Sequence, residues 1–170
     1  MAEAAPHAGA LSVLEHLGIV LRTLSEDQYT LRMDLLGGHT IGQHARHILE
    51  FFECIVTGVS QGTVDYAARQ RNGRLESEKK FALQMTDTIR LSMANFNPNM
   101  SLEVIAEYSS GRMTCQSSLG RELMFAHDHA IHHLAMLRMA VNHHWPEIDL
   151  PEHFGLAPST LRYKSAQENE

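Results

Sequence analysis

Ser118-Leu119-Gly120-Arg121-Glu122-Leu123-Met124-Phe125-Ala126-His127-Asp128-His129-Ala130-Ile131-His132-His133 opens the stretch whose reading decides the fold. Ser118 is a good helix N-cap, and no breaker intervenes before Trp145-Pro146, so one long helix is predicted from Leu119 to about Asn142. At about 100° per residue, His133 lies about 40° from His129, and Glu122, Phe125, Met136 and Ala140 all fall within about 40°. The two histidines therefore project from the middle of a mostly apolar stripe. His132, about 60° away on the other side, borders it.

Three more helices are legible upstream. Ser12 to Leu24 carries Leu14, Leu17, Leu21 and Leu24 at three- and four-residue spacing, and Ser12-x-x-Glu15 has the form of a capping box. Thr40-x-x-Gln43 repeats that form after Gly37-Gly38 and starts a helix through Ile48, Phe51 and Ile55 to Gly58. Glu76 to Phe96 places Phe81, Met85, Ile89, Ser92 and Phe96 on one face before Asn97-Pro98. Residues 60–74 are polar and read as a long connection. Leu102, Val104, Ala106 and Tyr108 alternate with polar residues and Ser109-Ser110-Gly111 follows, which predicts a small hairpin before the fourth helix. Pro146, Pro151 and Pro158 mark an extended tail whose Trp145, Phe154, Leu156, Leu161 and Tyr163 should pack on the helices. The expectation is a mainly all-α four-helix bundle with one inserted hairpin, a single domain over residues 10–164, and disordered termini at 1–9 and 165–170.

Composition narrows the function. The 170 residues are 44% apolar and 20% charged, values of a globular chain. The net charge is 14 − 20 = −6, which argues against a nucleic-acid partner. No apolar run reaches the roughly 20 residues of a membrane span. Cys54 and Cys115 make no disulfide framework, and residues 1–10 lack the pattern of a secretory leader, so a cytoplasmic protein is expected. Histidine is the anomaly, at 12 residues.

Histidines four apart on one helical face can present imidazole nitrogens to one ion, and neutral imidazole suits zinc, nickel, copper or ferrous iron. A third ligand should come from another helix, and Gln43-His44-Ala45-Arg46-His47-Ile48 offers two. His44 lies nearer the apolar stripe of Ile41, Ile48, Phe51 and Ile55, whereas His47 borders it beside Cys54. The wheel favours His44 as the buried one and leaves the ligand open. A lone histidine on an apolar face is usually a core residue satisfied by a hydrogen bond; an i, i+4 pair facing a second histidine-bearing helix is a stronger signal. The zincin pattern is missing because Ala130 follows His129, and no Glu-x-x-His occurs on either helix, which removes di-iron chemistry. Arg69 and Arg71 read first as loop residues in solvent and second as contacts for an anionic substrate. His143 and His144 suit a helix C-terminus.

Thr40-Ile41-Gly42-Gln43-His44-Ala45-Arg46-His47-Ile48-Leu49-Glu50, then Asp65-Tyr66-x-x-Arg69-x-Arg71, then Arg121-Glu122-Leu123 running into His129-x-x-His132-His133, together resemble the DinB/YfiT-like family of four-helix-bundle metalloenzymes. The resemblance spans about residues 12 to 163, including Phe154-Gly155-Leu156-Ala157-Pro158. It implies a three-histidine site on His47, His129 and His133 that holds a divalent metal ion, zinc or nickel foremost. It also implies a homodimer and a small-molecule substrate such as a low-molecular-weight thiol. The activity expected by resemblance is a metal-dependent small-thiol S-transferase or a hydrolase, with Glu122 and His132 as candidate catalytic groups and Arg69 and Arg71 as candidate substrate contacts. The alternative expectation is a bundle that binds metal or a small ligand without chemistry.

Overall fold

The computed structural model describes residues 6–167, which are mostly helical with one small sheet. Four long helices, α1 (Pro6–Thr23), α3 (Ile41–Gln61), α5 (Lys79–Met93) and α6 (Leu119–His144), each pack on two of the others. α1 and α3 both lie against α5 and α6. Shorter helices α2 (Glu26–Thr30), α4 (Arg74–Ser77) and α7 (Pro158–Gln167) sit between or after them. No helix among the described residues is long and apolar enough to cross a membrane.

Local chemistry accounts for most boundaries. The Thr40 hydroxyl accepts the Gln43 N–H at 3.0 Å while the Gln43 side chain accepts the Thr40 N–H at 3.1 Å, so the expected capping box opens α3. Gly62, left-handed at φ 69°, closes it. Ser118 caps α6 by accepting the Arg121 N–H at 3.3 Å. The Ser12-x-x-Glu15 pattern is not a cap. α1 begins at Pro6, inside the stretch expected to be disordered, because proline at a first helical position gives up no needed N–H and Ala10 and Val13 bury against the core. The second capping box forms instead at Ser25 and Gln28, where α2 starts. Residues 165–167, also expected to be disordered, continue α7, and residues 1–5 and 168–170 lie outside the described residues.

The core is continuous. Leu14, Leu17 and Leu21 of α1, Ile48, Leu49 and Phe52 of α3, and Leu123, Leu134 and Leu137 of α6 are buried together. The expected third helix is broken at Glu78, whose extended backbone separates α4 from α5, and α5 buries Ala82, Thr86, Ile89 and Met93 while Ser92 is exposed. Gly42 lets this break approach α3, since a Cβ there would lie 2.1 Å from the Glu76 carbonyl oxygen.

The hairpin is present as β2 (Ser101–Tyr108) and β3 (Gly111–Ser118), paired antiparallel with Val104 opposite Cys115. The connection after α3 is not featureless. Thr63–Asp65 forms β1, which pairs parallel to β2 with Val64 opposite Val104, so the sheet order is β1-β2-β3. The tail is not extended as expected: residues 145–157 fold through successive turns, with the Ile148, Phe154 and Leu156 N–H groups each donating to the carbonyl three residues back, and α7 follows. Phe154 is fully buried, and Arg138 donates to the Glu152 and Phe154 carbonyls at 3.1 Å each, but α7 buries none of its residues and Tyr163 is 65% exposed.

Candidate metal centre

The buried stripe of α6 runs through Leu123, Ala126, Ala130, Leu134 and Leu137, about 100° round the helix from His129. His129 and His133 are therefore half-buried on its flank, not in its middle as the wheel implied. The shift arises because Met136 and Phe125 line the margin of the helix and leave the centre to leucine and alanine. That flank faces α3, and there His47 comes to meet the pair.

His47, His129 and His133 each offer a nitrogen within 4.8 Å of the others. His47 Nε2 and His129 Nε2 are 2.9 Å apart and share a hydrogen bond. The ring centroids of the three lie 4.7 to 5.0 Å from one another. Tetrahedral zinc with bonds of about 2.0–2.1 Å would set its nitrogens roughly 3.3 Å apart, so the donor set is close to the spacing a small divalent cation requires. His44 stands behind His133, with the two Nδ1 atoms 2.9 Å apart. When His44 accepts this bond, His133 keeps its proton on Nδ1 and its lone pair on Nε2.

The imidazoles are held neutral. Burial, then His129, Arg69, His44 and Arg46, push His47 down to about 4. Burial and the neighbouring histidines push His133 down to about 3. His129 is lowered by burial, Arg69 and His132, and His44 by burial, His39 and His132. Neutral imidazole is the ligating form, so His47, His129 and His133 need no net loss of a proton to take up a cation at neutral pH.

A wall of aromatic rings lies beside the histidines. Phe51, one turn beyond His47, stacks on His129 at 4.2 Å and on Tyr66 at 5.1 Å. Tyr66 donates to Glu122 Oε2 at 2.8 Å, and Glu122 Oε1 accepts from Ser117 at 2.5 Å and Arg121 at 3.0 Å. Glu122 is fully buried, and these bonds occupy both its oxygens, so it anchors the segment after β1 and the end of β3 to α6. None of its hydrogen bonds reaches a histidine. His132 is exposed, with its ring edge against His133 at 5.9 Å. Sequence reading passed over Tyr66 and Ser117 as partners of Glu122; Phe51, at i+4 from His47, carried the one local signal.

Arg69 lies with its guanidinium 4.4 Å over the Phe51 ring. With Arg71 it borders a cavity of about 820 Å3 whose wall also includes Glu50, Glu53, Cys54 and Asp65. The three histidines are not part of that wall. Arg69 and Phe51 thus stand between the cavity and the imidazoles. Burial pushes the Cys54 thiol up to about 11, which keeps it protonated and makes it a poor ligand or nucleophile.

The chain is 32% identical over 111 residues to FK506-binding protein 5 of the fungus Rhizopus delemar, an alignment covering 61% of this chain and 28% of that protein. The chain therefore spans little more than a quarter of that relative's length. No family model and no solved structure matches.

Proposed function

We propose that this chain is a divalent-metal-dependent enzyme of the DinB/YfiT-like kind, a four-helix bundle in which His47, His129 and His133 hold the cation and a small thiol or water is the nucleophile. The observation that carries the reading is the convergence of three neutral imidazoles from two helices, with a fourth behind one of them. Structural ion pairs or core packing do not call for such an arrangement, and unligated imidazoles so close would favour separation on protonation. When bound, a cation with three imidazole ligands supplies Lewis acidity toward a small oxygen or sulfur nucleophile near neutral pH, zinc and nickel both suiting nitrogen donors.

The remaining work falls to the chain. His44 orients His133 through the Nδ1 bond. Phe51 and Tyr66 exclude water from one side of the imidazoles and fix the His129 ring plane by stacking. Arg69 contributes positive charge beside His47 and His129, which favours an anionic nucleophile or substrate there.

A second reading, a metal-binding bundle without chemistry, is favoured by Glu122, whose oxygens are spent on Tyr66, Ser117 and Arg121 and are not free for proton transfer. The deciding experiment uses untagged protein. Metal analysis should give about one zinc or nickel per chain, and none in His47→Ala, His129→Ala or His133→Ala; unchanged stoichiometry in all three overturns the site. The cobalt-substituted protein should change its visible spectrum with mercaptoethanol and azide. A spectrum indifferent to both favours the second reading.

A further inference from the structure

None of the five N–H donors of Arg69 meets an acceptor among the described residues. Its Nη1 is sealed from solvent without a hydrogen-bond partner, wedged where the guanidinium lies over Phe51. A buried guanidinium nitrogen without an acceptor is costly, and proteins seldom leave one. The side chain is not held there by an ion pair, since Asp65 is matched to Arg112 at 3.5 Å and Glu50 to Arg46 at 3.6 Å. What remains on its open side is the cavity of about 820 Å3.

We infer that Arg69 is the recognition site for a carboxylate on the substrate, bound in this cavity. The inference rests on the proposed enzymatic reading only in taking the ligand as a substrate; the carboxylate site itself needs no metal. Stacking on Phe51 holds the guanidinium plane, and since only Nη1 is sealed, the Nε and Nη2 edge is the one left to make the two parallel bonds a carboxylate accepts. Arg71 on the same wall adds a second, more mobile positive charge. The other ionisable groups of the wall decide which anion fits. With Glu50 and Asp65 matched to Arg46 and Arg112, the wall's remaining ionisable groups are Arg69, Arg71 and Glu53, giving 2 − 1 = +1. A monocarboxylate of a small molecule matches that single charge at the arginine and lays its body among Cys54, Ala68 and Ile105, whereas an inorganic phosphate dianion overshoots it beside Glu53.

The test is a titration of the full chain, followed by the 15N-correlated NMR signal of the Arg69 Nε–H, with and without one equivalent of zinc. Propionate should shift that signal saturably in both preparations, and inorganic phosphate should do so at least tenfold more weakly. Arg69→Lys, which keeps the charge and loses the fork, should weaken propionate about tenfold, and Arg71→Met less than that. The inference is overturned if propionate leaves the Arg69 Nε–H unmoved, if phosphate binds more tightly, or if Arg69→Lys binds propionate as well as the parent chain. Because the zinc-free arm reads the same signal, loss of the metal reading does not obscure the result. The signal of the unmutated chain decides the question even if a variant fails to fold.

Discussion

His44 and His133 meet through their Nδ1 atoms, 2.9 Å apart across 89 residues of sequence. An imidazole whose far nitrogen is held in this way is oriented before any ligand arrives. His44→Ala should therefore retain a zinc site but weaken it by about 10–100-fold, the usual loss when such a supporting partner goes. His133→Ala should abolish it. Competition with a chromophoric chelator measures both, and equal losses in the two variants would place His44 among the ligands.

His132, a candidate catalytic group by resemblance, is exposed and hydrogen-bonds to none of His47, His129 and His133. His132→Ala should change stability by no more than about 0.5 kcal/mol and leave zinc affinity as it was. A drop in affinity comparable to that of His44→Ala contradicts the assignment.

Glu122 is the buried anchor at the start of α6. Glu122→Ala leaves the Tyr66 and Ser117 hydroxyls without their acceptor and should cost about 1–3 kcal/mol in urea unfolding. Zinc stoichiometry should remain near one. Lost zinc with unchanged stability would return this carboxylate to the metal centre.

Acid should destabilise the metal-free chain. His47 and His133 titrate at about 4 and about 3 when folded, against 6.5 as ordinary histidines. Between those values the unfolded chain binds more protons than the folded one, so stability rises with pH across that window. The contribution of these residues is complete above pH ~6.5 and is lost as pH falls toward about 3. Urea midpoints at several pH values between 7.5 and 4.5 should fall on acidification, and less steeply in a His47→Gln, His133→Gln chain. Parallel slopes in the two chains exclude the cause given.

Phe154 fastens the tail. Removing its buried ring in Phe154→Ala should cost about 3–5 kcal/mol, measured by denaturant unfolding. Truncation after residue 157, which removes only the exposed α7, should cost far less.

What could be read from the sequence was local. The Thr40 and Gln43 side chains, the Ser118 cap and the alternation from Leu102 to Tyr108 each act within a few residues, and each gave its element. Pro6 and Ser12 illustrate the limit: both are acceptable helix starts, and burial of Ala10 and Val13, a tertiary matter, decides between them. The strand Thr63–Asp65 has too few residues to show a period and exists because Glu103 to Ile105 run beside it. At the site, the wheel ranked His44 above His47 by closeness to the core, yet the convergence lies on the flanks of α3 and α6, where closeness to the core is the wrong measure. The Tyr66–Glu122 bond joins residues 56 apart and leaves no local trace.

His47 and His129 are 82 residues apart in the chain. Joining such distant points from a disordered chain carries a loop-closure cost that grows with the logarithm of the separation, and here the packed helices meet it before the imidazoles touch. A cation bridging the two would thus behave as a reversible cross-link. Present at 100 times its dissociation constant, it would add about 2.7 kcal/mol to the unfolding free energy, so the melting temperature of this chain becomes a gauge of free metal.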